Sequence, residues 1–183
     1  MHPAFLYLPG DRLTLPELTA ARLDGDVVEM GEGYVPADLV EAASIRAGAL
    51  ARLIAPGTAA SDATAAWIHG AGDAPPSPHH VRRAVGHRIR AQSHQRLVFH
   101  DTFVPASDLV LVGGIPVTTA RRTLADLALG VHRDPSCLPW VRALAAAAPD
   151  AVVEASHALR AMTRVPGTRA GLAALEAAAV RTR

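Results

Sequence analysis

The chain has 183 residues, half of them hydrophobic, with a formal charge of +1 and only 4% aromatic side chains. That composition fits one ordinary domain, or a small module joined to a larger one, with a core built from Ala, Val and Leu. The single Cys137 excludes an internal disulfide framework and a multi-cysteine zinc site, and all eighteen basic residues are arginine, which excludes lysine-dependent chemistry.

The near-neutral total conceals an uneven distribution. Residues 1–50 hold eight acids against three arginines, whereas residues 74–100 hold five arginines and no acid. No apolar run approaches the ~20 residues of a spanning helix, and the N-terminus lacks the pattern of an export signal. A soluble cytoplasmic protein is the expectation.

In chain order, "LTLPELTAARLDG" predicts a helix with Pro16 in its first turn, Leu15, Leu18 and Leu23 roughly on one face, and Gly25 at its end. "DVVEMGEGYVP" predicts two short strands around a glycine turn. A helix followed by a ribbon is the back half of a winged helix-turn-helix. "PADLVEAASIRAGALARLIAPG" reads as a helical region, and "TAASDATAAWIHGAG" as another helix with Ser61 as N-cap. A proline-rich loop leads into "HHVRRAVGHRIRAQSHQRLVFH", and "DLVLVGGIPVTT" has the apolar–GlyGly–apolar pattern of a hairpin. Four helical segments follow, starting at "TTARRTLADLALG", which buries Leu124, Leu127 and Ala128. The order is α+β: a partial winged-helix-like module over 1–37, then antiparallel strands and a C-terminal helical bundle over 38–183.

The stretch at 79–100 is the most informative. His79, His80, His87, His94 and His100 match no zinc spacing, and no Cys or carboxylate lies among them, so no metal or cofactor is expected. Arg82, Arg83, Arg88, Arg90 and Arg96 could line one face, with Arg88 and Arg90 together on a strand, and reach phosphates or an acidic partner. The alternative is a solvated face of a sheet. The acidic N-terminal module could itself supply the partner within the fold. Histidines of ordinary pKa, about 6.5, would strengthen any anion binding as pH falls towards 5.5.

Enzyme signatures are missing. "DGD" at 24–26 has the spacing of a magnesium-binding pair, but lacks the Gly-Ser turn of nucleotidyltransferases and reads as a polar turn. A phosphate loop ending in Gly-Lys, a G-x-S-x-G elbow and an H-E-x-x-H helix are all missing. The expectation is a protein without catalytic residues.

Three stretches taken together, "GDVVEMGEGYVPAD", "ATAAWIHGAG" and "DLVLVGGIPVTTARRTLADLA", resemble the AbiEi antitoxins of bacterial toxin–antitoxin systems. The likeness is to the form common in actinobacteria, without the nuclease-like extension of some relatives, and it runs from about Leu15 to about Leu175. It implies an N-terminal winged helix, with "LPELTAARL" as recognition helix and "VVEMGEGYVP" as wing, and a larger C-terminal domain. It also implies a partner, a nucleotidyltransferase-fold toxin that the protein neutralises by binding, and repression of its own operon. Arg121 and Arg122, opening the "ARRTLADLA" helix, become candidates for facing an acidic toxin cleft, or else merely solvate that helix. The expected recognition helix offers only Arg22 beside Glu17 and Asp24, and the wing carries Glu29 and Glu32. Phosphate binding needs cations, so DNA affinity is expected from the basic stretch instead. The alternative function is a solitary DNA-binding regulator with no toxin partner.

Overall fold

The first helix begins where a threonine precedes Leu-Pro. In the computed structural model, which describes residues 5–90 and 95–180, Thr14 caps α1 (Leu15–Asp24) with a reciprocal pair of bonds to Glu17. Gly25, at φ +84°, ends the helix in a conformation that other residues adopt at a cost. Only Leu18 of the expected apolar face is buried; Leu15 and Leu23 are exposed. β1 (Val27–Met30) and β2 (Gly33–Pro36) form the expected antiparallel ribbon, and Tyr7 bridges to Tyr34 at its side. Leu18, Val27 and Tyr34 make a small cluster of their own.

The next helical region is shorter than its sequence suggests. α2 spans only Ala43–Ala49, and its Arg46 is buried. That guanidinium donates to the carbonyls of Trp67 (2.8 Å) and Gly72 (2.9 Å), pairs with Glu41 and lies over the Trp67 ring. A buried charge needs such partners, and Arg46 here secures the end of the following helix.

That helix is preceded by a strand the sequence did not reveal. β3 (Thr58–Ala60) is three residues, all buried, and so shows no alternation. α3 (Asp62–Ile68) follows at once. Ser61 is its N-cap residue, as expected, but its hydroxyl donates to the Asp62 carboxylate (2.8 Å) rather than capping the backbone. β4 (His79–Arg83), β5 (Leu97–Phe103), β6 (Leu109–Val112) and β7 (Ile115–Thr118) complete a sheet in the order β5-β4-β3-β7-β6.

The α+β class stands, but the sheet is mixed and not antiparallel throughout. β4 runs parallel to β5, and β3 parallel to β7. β4 ends at Arg83 and β5 begins at Leu97, a separation longer than the tight turn of an antiparallel hairpin. The Gly113-Gly114 hairpin joins β6 and β7 as expected, with both glycines at positive φ.

The four C-terminal helices all form: α4 (Ala120–Gly130), capped by Thr119; α5 (Cys137–Ala147); α6 (Pro149–Ala161), with Pro149 in its first turn; and α7 (Thr168–Val180). Leu124, Leu127 and Ala128 are buried, in a core with Leu144, Leu159 and Leu175. A second core joins the sheet residues Val81, Ile115 and Val117 to α2 and to Leu6, Met30 and Val35 of the N-terminal segment. The N-terminal module therefore shares a core with the larger domain. α3 belongs to both cores, through Ala66 on one side and Trp67 and Ile68 on the other.

His69, just past α3, ties that helix to the sheet: its Nε2–H donates to the Thr118 carbonyl over 2.7 Å. Burial lowers its pKa, against the opposing pull of that carbonyl. Since the folded pKa lies below the unfolded value of about 6.5, the unfolded chain takes up the proton first as pH falls. Stability from this group is complete above pH ~6.5 and is lost as pH falls through the folded pKa. We expect urea unfolding at pH 5.5 to show lower stability than at pH 7.5, with His69→Gln removing part of the difference.

Candidate functional site

Residues alternate across a strand, so His80 and Arg82 of β4 share a face opposite the buried Val81. Arg82 meets two carboxylates there. Its Nη2 and Nε lie 3.0 and 3.2 Å from Asp62 of α3, and its Nη1 lies 3.1 Å from Oδ2 of Asp126 in α4. Asp126 Oδ2 also accepts from Arg122 Nε at 2.8 Å, an i,i+4 pair. Arg122 continues to Asp108 (2.7 Å), and Asp108 pairs in turn with Arg121. The result is an alternating series, Asp62–Arg82–Asp126–Arg122–Asp108–Arg121, drawn from α3, β4, α4 and the short turn before β6.

Most of this series is out of water. The side chains of Arg82, Asp62, Asp126 and Asp108 are 14%, 16%, 9% and 12% exposed, and only Arg121 reaches 34%. Burial would raise the Asp62 carboxyl, but Arg82 and the Ser61 hydroxyl overcome it and hold the carboxyl below its ordinary value. At Asp126 burial prevails over Arg82 and Arg122, and its pKa is raised. Asp62 also takes φ +50°, an uncommon conformation outside glycine.

The basic stretch is thus partly committed to ion pairs within the molecule. Besides Arg82, Arg83 pairs with Asp101 (2.9 Å), donates to the carbonyls of Val85, Gly86 and His87, and lies over the Phe103 ring. Arg96 pairs with Glu32 of the N-terminal ribbon, the intramolecular acid foreseen from the charge distribution. Residues 84–90 are not a strand, so Arg88 and Arg90 do not share a strand face. Arg88 is 89% exposed, and Asp101 stands 3.7 Å from its Nε. Arg90 is also exposed, at the rim of a cleft floored by Val81, Ile89, Leu97 and Phe99. Neither Arg121 nor Arg122 simply solvates its helix.

The histidines separate by environment. His79 is buried, with Nε2 3.7 Å from Glu32, and burial lowers its pKa despite that carboxylate. Burial also lowers His80. Neither gains a proton as early as a solvated histidine would, so the expected rise in positive charge by pH 5.5 is blunted. His87 is exposed and His94 lies outside the described residues. His80 and His100 stack at 5.4 Å between ring centroids, with Nδ1 of one 3.1 Å from Nε2 of the other. His100 Nε2 is 3.9 Å from Asp62 Oδ2. Sequence reasoning had the two histidines but not this carboxylate, which arrives from the start of α3.

With this geometry in place, the comparisons with known proteins are specific in one respect. Residues 58–174, well over half of the chain, match the family model described as the AbiEi antitoxin C-terminal domain. No curated protein matches. A solved structure, that of the RV2827C protein from Mycobacterium tuberculosis, is 15% identical and covers 92% of this chain and 69% of its own, with a TM-score of 0.35. That likeness is too loose to carry an argument.

Breaking a buried ion pair leaves an uncompensated charge and costs about 3–5 kcal/mol, whereas an exposed pair is worth little. We therefore expect Arg82→Ala to lose a stability of that order in urea unfolding, and Arg88→Ala to stay within about 0.5 kcal/mol of wild type. Equal effects at the two positions would remove the distinction between structural and surface arginines.

Proposed function

We propose, from the premise that the chain belongs to the AbiEi antitoxin family, that it neutralises a cognate toxin by binding it, without catalysis. The observation that carries this is the extent of the family match. It begins at β3 and ends within α7, and so takes in the whole five-stranded sheet, the ion-pair series and most of the helical bundle. The antitoxin unit is on this reading the sheet and bundle together.

The finer reading is that the toxin has a nucleotidyltransferase fold and is encoded beside this protein. Lasting inhibition calls for roughly 1,200–2,000 Å² of total buried surface, more than one strand face supplies. Arg121, the most exposed member of the ion-pair series, remains the better placed of the two arginines proposed to face an acidic toxin cleft. Arg122 is held inward by Asp108 and Asp126. The action would be cytoplasmic; no helix among the described residues is long and apolar enough to cross a membrane.

A second reading, operator binding, is favoured by the exposure of Arg88 and Arg90. These two, rather than Arg82, Arg83 or Arg96, are the arginines of the basic stretch best placed to reach phosphates. Such binding would accompany antitoxin action as autorepression, or stand alone in a solitary regulator.

Co-expression with a nucleotidyltransferase-fold toxin gene found beside this one tests the proposal. We expect growth rescue and co-purification of a stable complex. Replacing Arg88 and Arg90 by Ala should leave rescue intact while weakening operator binding, lowering the log–log salt slope by roughly 0.9 for each phosphate no longer neutralised. A folded protein that shifts operator DNA but neither binds nor rescues against that toxin would establish the solitary regulator instead.

A further inference from the structure

The sequence offers no zinc motif, yet the fold assembles a ligand set from three separate elements. We propose that Asp62, His80 and His100 form a binding site for one divalent transition-metal ion, with zinc as its reference occupant. One ligand atom from each residue lies within 4.8 Å of the other two. Donors about 2.0–2.1 Å from a tetrahedral zinc stand roughly 3.3 Å from one another. His80 Nδ1 and His100 Nε2 are already 3.1 Å apart, and Asp62 Oδ2 is 3.9 Å from His100 Nε2. Closing the set takes a shift on the order of an ångström at the carboxylate.

The donors are positioned by the fold rather than by the wandering of long side chains. β4 and β5 pair with Arg82 opposite His100 and His80 opposite Val98, which sets the two histidines diagonally on one sheet face. The backbone N–H of His80 donates to the Thr64 hydroxyl over 2.7 Å, fixing β4 against α3. Asp62 is oriented by Ser61 and Arg82. Ligating carboxylates are ordinarily hydrogen-bonded in this way by an outer shell.

The nearby guanidinium does not forbid a cation. Arg82 is shared between Asp62 and Asp126, so its charge is already opposed by two carboxylates. On the open side, a cleft of about 520 Å³ runs past Asp62, His80 and His100 to Asp134 and Cys137. It gives an ion an entry path and leaves a fourth position for water. Two imidazoles and one carboxylate with an open position suit zinc, and also iron, nickel or copper. A bound ion would pin the edge strand β5 to α3 and to the ion-pair series behind it.

The test uses the full chain, free of any affinity tag and stripped of metal, titrated with zinc chloride in competition with a chromophoric chelator. We expect one ion per chain and a Tm that climbs with free zinc, since a ligand that binds only the folded state stabilises it by mass action. His80→Ala and His100→Ala should weaken binding by more than the roughly 10–100-fold that loss of an outer-shell partner costs. Ser61→Ala should fall within that range. His87→Ala, at an exposed histidine away from the site, should bind as wild type does. Should His100→Ala fail to fold by circular dichroism, His100→Gln keeps a polar side chain of similar reach and should show the same loss. Wild-type protein that takes up no zinc, or histidine variants that bind it undiminished, would overturn the site and leave a hydrogen-bonded His–His–Asp cluster.

Discussion

A single buried carboxylate holds the two halves of this molecule in register. Asp126 of α4 accepts from Arg82 of the sheet and from Arg122 of its own helix, with its side chain 9% exposed. Removing such charges from water costs several kcal/mol each, which only close and well-aligned partners offset. A slip of the bundle against the sheet would break the Arg82–Asp126 contact, leaving Arg82 with Asp62 alone and Asp126 with Arg122 alone. The apolar cores on either side tolerate small sliding far better, because hydrophobic contact is not directional. The ion-pair series therefore contributes uniqueness of packing more than net stability.

The same constraint explains why the basic stretch misleads when it is inspected alone. Its arginines have no acid nearby in sequence, yet Asp62 is 20 residues before Arg82. Asp126 follows it by a larger span, and Glu32 lies 64 residues before Arg96. Pairing across such distances has no local signature. By contrast the Arg122–Asp126 pair, at helical spacing, was open to inspection.

What was legible follows the same division between local and distant. The helix opened by Pro16 and closed by Gly25, the two glycine hairpins and the four C-terminal helices each rest on signals within a dozen residues, and each formed. β3 went unseen because three buried residues ahead of a helix carry no period, although this strand lies at the centre of the sheet. The parallel pairing of β4 with β5 and of β3 with β7 depends on partners far along the chain. Leu15 and Leu23 looked like core because their spacing fits one face, but among the described residues that face of α1 stays open at both positions. Of the site, the residue types were visible. Their division into buried and exposed was not. Burial now separates Arg82 and Arg83 from Arg88 and Arg90, the exposed Arg96 is committed by its pair with Glu32, and His80 and His100 join a carboxylate that spacing alone gave no reason to include.

Arg82 of β4 and Arg122 of α4 are structural through the Asp126 carboxylate that they share. A double-mutant cycle between Arg82 and Asp126 tests this most directly, using Arg82→Met, Asp126→Leu and the pair together in urea unfolding. We expect each single change to be strongly destabilising and the double change to recover part of the loss, with a coupling energy of about 1–3 kcal/mol. Losses that simply add, to within about 0.5 kcal/mol, would contradict that role and return Arg82 to the surface-facing one that its sequence suggested.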